Sequence, residues 1–138
     1  MDRKILVYGN SDKSKKGGFP TAEDFDHYIR KGVYLDEDGR YRYTQQKEAD
    51  VVVLSRDGLL HGHFEINGKE PPIERDRTEY PTLKAAYLVR ASSLYGNRVL
   101  LAAMGITGIQ FGKYISEDKF QEILAAAGDI LRFESPQK

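Results

Sequence analysis

The sequence predicts an α+β fold in which short strands form a small twisted barrel or sandwich with flanking helices. Three observations lead there. The segments that read as strands are short and closely spaced. Helical periodicity is confined to one segment near the start and one near the end. The 138 residues, 40% of them hydrophobic, suffice for one ordinary core, so neither several domains nor global disorder is expected. A parallel βαβ sheet would need a helix between successive strands, and the middle of the chain offers none.

Ile5-Leu6-Val7-Tyr8 is an apolar, β-favouring run closed by Gly9-Asn10-Ser11-Asp12, which reads as a buried strand and a turn. Residues 11–18 are polar, with Lys13, Lys15 and Lys16 ahead of Gly17-Gly18, and read as a loop. Pro20-Thr21 opens a helix. Thr21 and Asp24 have capping-box spacing, Phe25, Tyr28 and Ile29 share a face, and Gly32 ends it. Asp36-Glu37-Asp38-Gly39 reads as a hairpin turn into Arg40-Tyr41-Arg42-Tyr43, where alternation puts the tyrosines on one face and the arginines on the other.

Val51-Val52-Val53-Leu54 is a second buried strand, Arg56-Asp57-Gly58 a turn, and residues 59–66 the return strand. Regular structure is expected to break over 68–72, and Arg75-Asp76-Arg77 reads as charged loop. Residues 85–90 read as a strand, Tyr95-Gly96-Asn97 as a turn, and 99–101 as a separate apolar run. Gly105, Gly108 and Gly112 punctuate the next stretch. Ser116 then caps a helix over 117–127 that buries Phe120, Ile123 and Leu124, and Gly128 closes it. A single domain is expected over 1–128. Residues 129–138, ending in Glu134-Ser135-Pro136-Gln137-Lys138, read as a tail or a cut linker.

Charge and composition exclude several functions. With 21 Lys and Arg against 21 Asp and Glu, the chain is not a polycation built to coat nucleic acid, although a local basic patch remains open. No cysteine means no disulfide framework, thiolate nucleophile or Cys-ligated zinc, which is compatible with a reducing cytoplasm. The apolar run after Met1-Asp2-Arg3-Lys4 is too short for a signal peptide, and no run approaches a membrane span. A cytoplasmic protein without a membrane partner is expected.

Catalytic motifs are sparse. His61-Gly62-His63 would place two imidazoles on one strand face, the spacing of a first cupin motif, yet no later histidine completes a ligand set. A strand with solvent-facing or hydrogen-bonding histidines is the simpler account. No Gly-x-Ser-x-Gly elbow is present, and the acidic pairs Glu23/Asp24 and Asp36/Asp38 fit a cap and a turn. Gly105-Ile106-Thr107-Gly108-Ile109-Gln110-Phe111-Gly112-Lys113 is neither a P-loop nor a dinucleotide fingerprint, and Tyr114 follows where a P-loop needs a hydroxyl for magnesium. No enzyme, metal or cofactor is therefore expected. A small His61/His63 enzyme stands as the alternative, and a tyrosine-rich protein-interaction module as a third reading.

What remains is a set of rings beside cations. Nine tyrosines occur in a chain without tryptophan. Arg40 and Arg42 flank Tyr41 and Tyr43, Arg90 and Arg98 lie around Tyr95, and Lys113 stands between Phe111 and Tyr114. Rings stack on bases while Lys and Arg meet phosphates.

Tyr87-Leu88-Val89-Arg90, Val99-Leu100-Leu101 and the run Phe111-Gly112-Lys113-Tyr114-Ile115-Ser116-Glu117-Asp118-Lys119-Phe120, with Gly128 beyond it, resemble the ending of EVE-type and YTH-type domains of the PUA-like superfamily. The middle, Ala49-Asp50-Val51-Val52-Val53-Leu54 with Gly62-His63-Phe64-Glu65-Ile66, is similar to their central hairpin. The resemblance implies a PUA-like twisted β-barrel with flanking helices that binds nucleic acid, DNA favoured over RNA, and holds one flipped-out, methylated base. It also implies service as the specificity domain of a modification-dependent restriction system, beside a nuclease or motor. By position along such a fold, the base would be met by Tyr8, Asn10, Ser11, Tyr41, Tyr43 and Phe64. The backbone would be met by Lys13, Lys15, Lys16, Arg56, Arg90, Arg98 and Lys113. YTH domains typically use tryptophan in the methyl-base cage; without it, tyrosine and phenylalanine would have to serve.

Overall fold

A computed structural model describes residues 3–10, 33–35, 41–44, 48–56, 58–107 and 112–134. In chain order it contains β1 (Ile5–Asn10), β2 (Val33–Leu35), β3 (Tyr41–Tyr43), β4 (Val51–Arg56), β5 (Leu59–Glu70), α1 (Glu74–Glu79), β6 (Ala86–Leu100), a short 3-10 turn (Ala102–Met104), β7 (Lys113–Ile115), α2 (Glu117–Ala127) and β8 (Ile130–Glu134). The fold is mixed α+β, with a sheet curled into a half-barrel and two helices among the described residues, compatible with a small barrel-like fold. The expected loop over 11–18, helix over 21–32 and turn over 36–39 lie outside the described residues. Among the described residues no helix is long and apolar enough to cross a membrane.

The sheet order is β2-β3-β6-β5-β4-β1-β7, with β8 also paired to β6. β1 and β4 run parallel, and every other pair is antiparallel. Continuous apolar runs mark strands covered on both faces, and this holds for the two valine-rich strands. Leu6, Val52 and Leu54 enter one cluster with Tyr43, Phe64, Tyr87 and Leu94. Ile5, Val7, Val51 and Val53 enter the other with Leu60, Tyr95, Val99, Phe120 and Ile123. α2 covers the second face through Phe120, Ile123 and Ala127. Its start matches the sequence expectation: the Ser116 hydroxyl oxygen accepts from the Lys119 amide at 3.1 Å, satisfying a first-turn donor. Gly128 follows at φ +69°, in the left-handed region that glycine enters without strain.

Four segments differ from expectation, each because of a distant partner. Tyr95-Gly96-Asn97 is not a turn but part of the 15-residue β6. On β5 a single residue, His61, stands between Leu60↔Val99 and Gly62↔Leu94, so β6 bulges there. The bulge is held from its other edge by β8, through Leu94↔Leu131 and Tyr95↔Ile130. Residues 130–134, expected within a tail, are thus a strand of the sheet. β5 continues to Glu70 instead of breaking at 68, absorbing Gly68 in a register slip between Ile66 and Lys69. The Arg75-Asp76-Arg77 loop is instead the helix α1.

That helix forms because Asp76 is not a surface charge. One carboxylate oxygen accepts from the Ile73 amide at 2.9 Å and from Arg42 Nη2 at 3.0 Å. Arg42 Nη1 also reaches Glu70 at 2.7 Å, and Nη2 the Pro71 carbonyl at 3.1 Å. Arg42 is 1% exposed and Asp76 0%. The arginine face of β3 therefore turns into the protein at Arg42, contrary to the simple alternation of ring and cation.

Gly96 marks the tightest junction. Its amide donates to the Asp129 carbonyl at 2.6 Å, and a Cβ added there would lie 2.7 Å from that same oxygen. Backbone cannot swing aside as a side chain would. Gly96→Ala is expected to cost about 1–3 kcal/mol by overpacking and to loosen β8. Urea unfolding and amide exchange at residues 130–134 check this; unchanged protection of β8 would refute it.

Candidate functional site

The expected contacts divide by position. Tyr8 and Asn10 lie on β1, Tyr41 on β3 and Arg56 on β4, with their side chains outside the described residues. Ser11, Lys13, Lys15 and Lys16 fall wholly outside them. Backbone register nevertheless places several candidates. In the parallel β1–β4 pair, Asn10 stands opposite Arg56. Arg56 pairs in turn with Leu59, and Leu60 with Val99, the neighbour of the exposed Arg98. The ends of β1 and β4, the start of β5 and the Arg98 segment thus meet at one end of the sheet.

Other candidates do not join them. Lys113 is exposed on β7 opposite Val7, nearer the other end of β1. Arg90 is exposed at the β5–β6 slip, where its guanidinium lies 4.0 Å from Glu65. Glu65 also holds Arg132 at 3.1 Å, and Arg132 pairs with Glu134. Arg90 therefore sits among paired charges rather than in a basic patch.

Two expected base-binding rings are corrected. Tyr43 is 1% exposed and Phe64 0%, both within the same apolar cluster. Tyr43 packs against Tyr87 with ring centroids 6.1 Å apart. Neither ring presents a surface on which a base could stack. Alternation identifies which residues share a face, but it cannot tell a solvated face from a covered one when both faces of a strand are covered.

The histidine pair is likewise internal. Against β4, His61 is an extra residue of β5, lying between the pairs Gly62↔Leu54 and Leu60↔Ser55, and it interrupts the alternation that would have put both imidazoles on one face. Both histidines are buried, contrary to a solvent-facing pair. His63 Nδ1 is 2.8 Å from the Tyr95 hydroxyl, a hydrogen bond, and its ring meets Phe120 edge-on at 5.3 Å. Among the described residues, no three His, Asp or Glu side chains gather as metal ligands would.

Burial disfavours the charged imidazole and lowers the His63 pKa to about 4. Near pH 7 His63 is therefore neutral and offers phosphate no charge. The unfolded imidazole takes its proton near pH 6.5, the folded one only near 4. Between those values the unfolded chain binds more protons, so stability falls as pH falls. The His63 contribution to that slope approaches about 1.4 kcal/mol per pH unit. Urea unfolding at pH 7 and 5 should show the wild-type loss and a smaller one in His63→Gln; equal losses would refute the assignment.

Arg3 joins β1 to the helix. Its guanidinium forms two bonds to Glu117, at 2.8 and 2.7 Å, and lies 5.3 Å above the Phe120 ring. The Arg3 bond, aided by Gln121, holds the Glu117 carboxyl down to about 2. The pair ties the start of β1 to the first turn of α2.

No protein-family model, curated protein or solved structure matches this chain.

Proposed function

We propose that the chain is a non-enzymatic, PUA-like nucleic-acid-binding module that takes up a methylated, flipped-out base. One observation carries the reading: β1–β4 register sets Asn10 opposite Arg56 at the end of the sheet where the exposed Arg98 also lies. A residue type suited to a base edge thereby shares a strand end with residue types suited to phosphates, and Ser11, Lys13, Lys15 and Lys16 follow it in the sequence. A flipped base loses its stacking, so the site needs a ring, and Tyr8 and Tyr41 are the candidates left once Tyr43 and Phe64 are assigned to the core. We place the module in the cytoplasm, as the specificity part of a modification-dependent restriction system, with DNA favoured over RNA.

Titration of a labelled 12-base-pair duplex by the full chain at 50 and 200 mM salt tests this. Binding should weaken steeply with salt, and Arg98→Gln should reduce the log–log slope by about 0.9, the value of one phosphate contact on duplex DNA. Arg98 is exposed, so its loss should leave the unfolding midpoint unchanged. Absence of salt-dependent binding would refute the proposal.

A further inference from the structure

At the opposite end of β1, three residues from three different segments converge on Glu48. Its two carboxylate oxygens each take one ammonium: Lys69 Nζ lies 2.9 Å from Oε1, and Lys4 Nζ lies 3.4 Å from Oε2. The Glu48 backbone carbonyl accepts from the Tyr114 hydroxyl at 2.7 Å. Lys69 also stands 6.0 Å from the centroid of the Tyr87 ring. A neighbouring carboxylate, Asp50, accepts from the Lys4 amide at 2.6 Å.

As a stabilising device this arrangement is poor. Both lysines and Glu48 are exposed, and exposed ion pairs contribute little. As a recognition device it is coherent. Two ammoniums that each take one oxygen of the same carboxylate could each take one free oxygen of a phosphodiester, with Glu48 occupying the position of that phosphate. The hydroxyl bond to Glu48 fixes the Tyr114 ring beforehand, although Tyr114 is 47% exposed on β7. A ring already held in place loses little freedom when a base stacks on it.

We infer that Lys4, Lys69 and Tyr114 form a second contact for a nucleic-acid strand, the lysines meeting phosphate, Tyr114 stacking a base, and Glu48 acting as the resident competitor. The inference rests on the nucleic-acid reading given above and adds a contact at the other end of the sheet. The six steps from Lys4 to Asn10 span roughly 20 Å along the strand. Only a ligand that covers this distance engages both ends.

The test titrates labelled single-stranded 12-mers and tetramers with the full chain between 50 and 200 mM salt. For the 12-mer, Lys4→Gln/Lys69→Gln should lower the log–log salt slope by about 1.4, roughly 0.7 per lost contact on single strands. Glu48→Gln should tighten binding severalfold by removing the competing charge. Tyr114→Leu should weaken binding with the slope unchanged, because it removes a ring and no charge. The tetramer should bind the Lys4→Gln/Lys69→Gln and wild-type chains alike if it settles at the Asn10 end. Circular dichroism should match throughout, since these side chains are exposed. An unchanged slope in the lysine double variant, with the wild type binding normally, would overturn the second contact and leave the nucleic-acid reading standing. Equal competition by polyglutamate would overturn the assignment to a strand. Failure of the wild type to bind at all would overturn the broader reading and this contact with it.

Discussion

Arg42→Met is expected to lower the stability of the chain by about 3–5 kcal/mol, the cost of breaking a buried ion pair from one side. The side chains are similar in length, so packing loss is small and the effect is mainly electrostatic. Arg42 and Asp76 are sealed from water at 1% and 0% exposure, and Arg42 also anchors Glu70 and the Pro71 carbonyl. Removing the guanidinium leaves the Asp76 carboxylate in the interior without the cation that faces it. Glu70 is partly exposed and regains water more readily. The double variant Arg42→Met/Asp76→Ala should therefore cost less than the sum of the single changes, a coupling that a double-mutant cycle in urea measures directly. A loss below about 1 kcal/mol in Arg42→Met would show that the pair does not hold α1 against β3.

Phe120→Ala should be comparably severe, about 3–5 kcal/mol, as for other buried aromatics cut to alanine. Phe120 is the principal contact of α2 with the sheet: it is 2% exposed, meets His63 edge-on and lies beneath the Arg3 guanidinium. The substitution carries a second readout that simple cavity formation elsewhere would not. Water admitted beside His63 should raise its pKa from about 4 towards the ordinary value near 6.5. Histidine proton resonances followed between pH 4 and 8 report this. A large loss of stability with an unmoved His63 titration would mean that Phe120 is not what keeps the imidazole dry.

These two sites show why parts of the fold were legible in the sequence and parts were not. β1, β4 and α2 announce themselves locally, through four-residue apolar runs, the Ser116 cap and Gly128 after the last turn. α1 depends on Arg42, 34 residues away from Asp76, and its sequence by itself reads as charged loop. The continuity of β6 through Tyr95-Gly96-Asn97 depends on β8 and on Asp129 just before it, whose carbonyl comes to the Gly96 amide from beyond α2. Strand alternation in β3 says which residues share a face, but burial of Tyr43, Phe64 and Arg42 is a property of what packs on each face.

The candidate site was legible to a similar degree. Asn10, Arg56 and Arg98 stand far apart in sequence, and only strand register brings them to one end. Tyr114 was visible as a ring beside Lys113, but alternation on β7 puts the two on opposite faces. Its actual partner, Glu48, lies 66 residues away, and Glu48 is also what gathers Lys4 and Lys69. Balanced total charge thus conceals two different uses of cations: Arg42 is consumed by the buried Asp76, while Arg98 stands exposed.

The most direct test of the central claim is a titration of the full chain with matched duplexes that differ only in one methyl group, on adenine in one series and on cytosine in another. A buried methyl contributes about 0.8 kcal/mol, so a reader of one of these modifications should prefer its methylated duplex by at least about fourfold. Equal affinity for methylated and unmodified duplexes in both series would contradict the account.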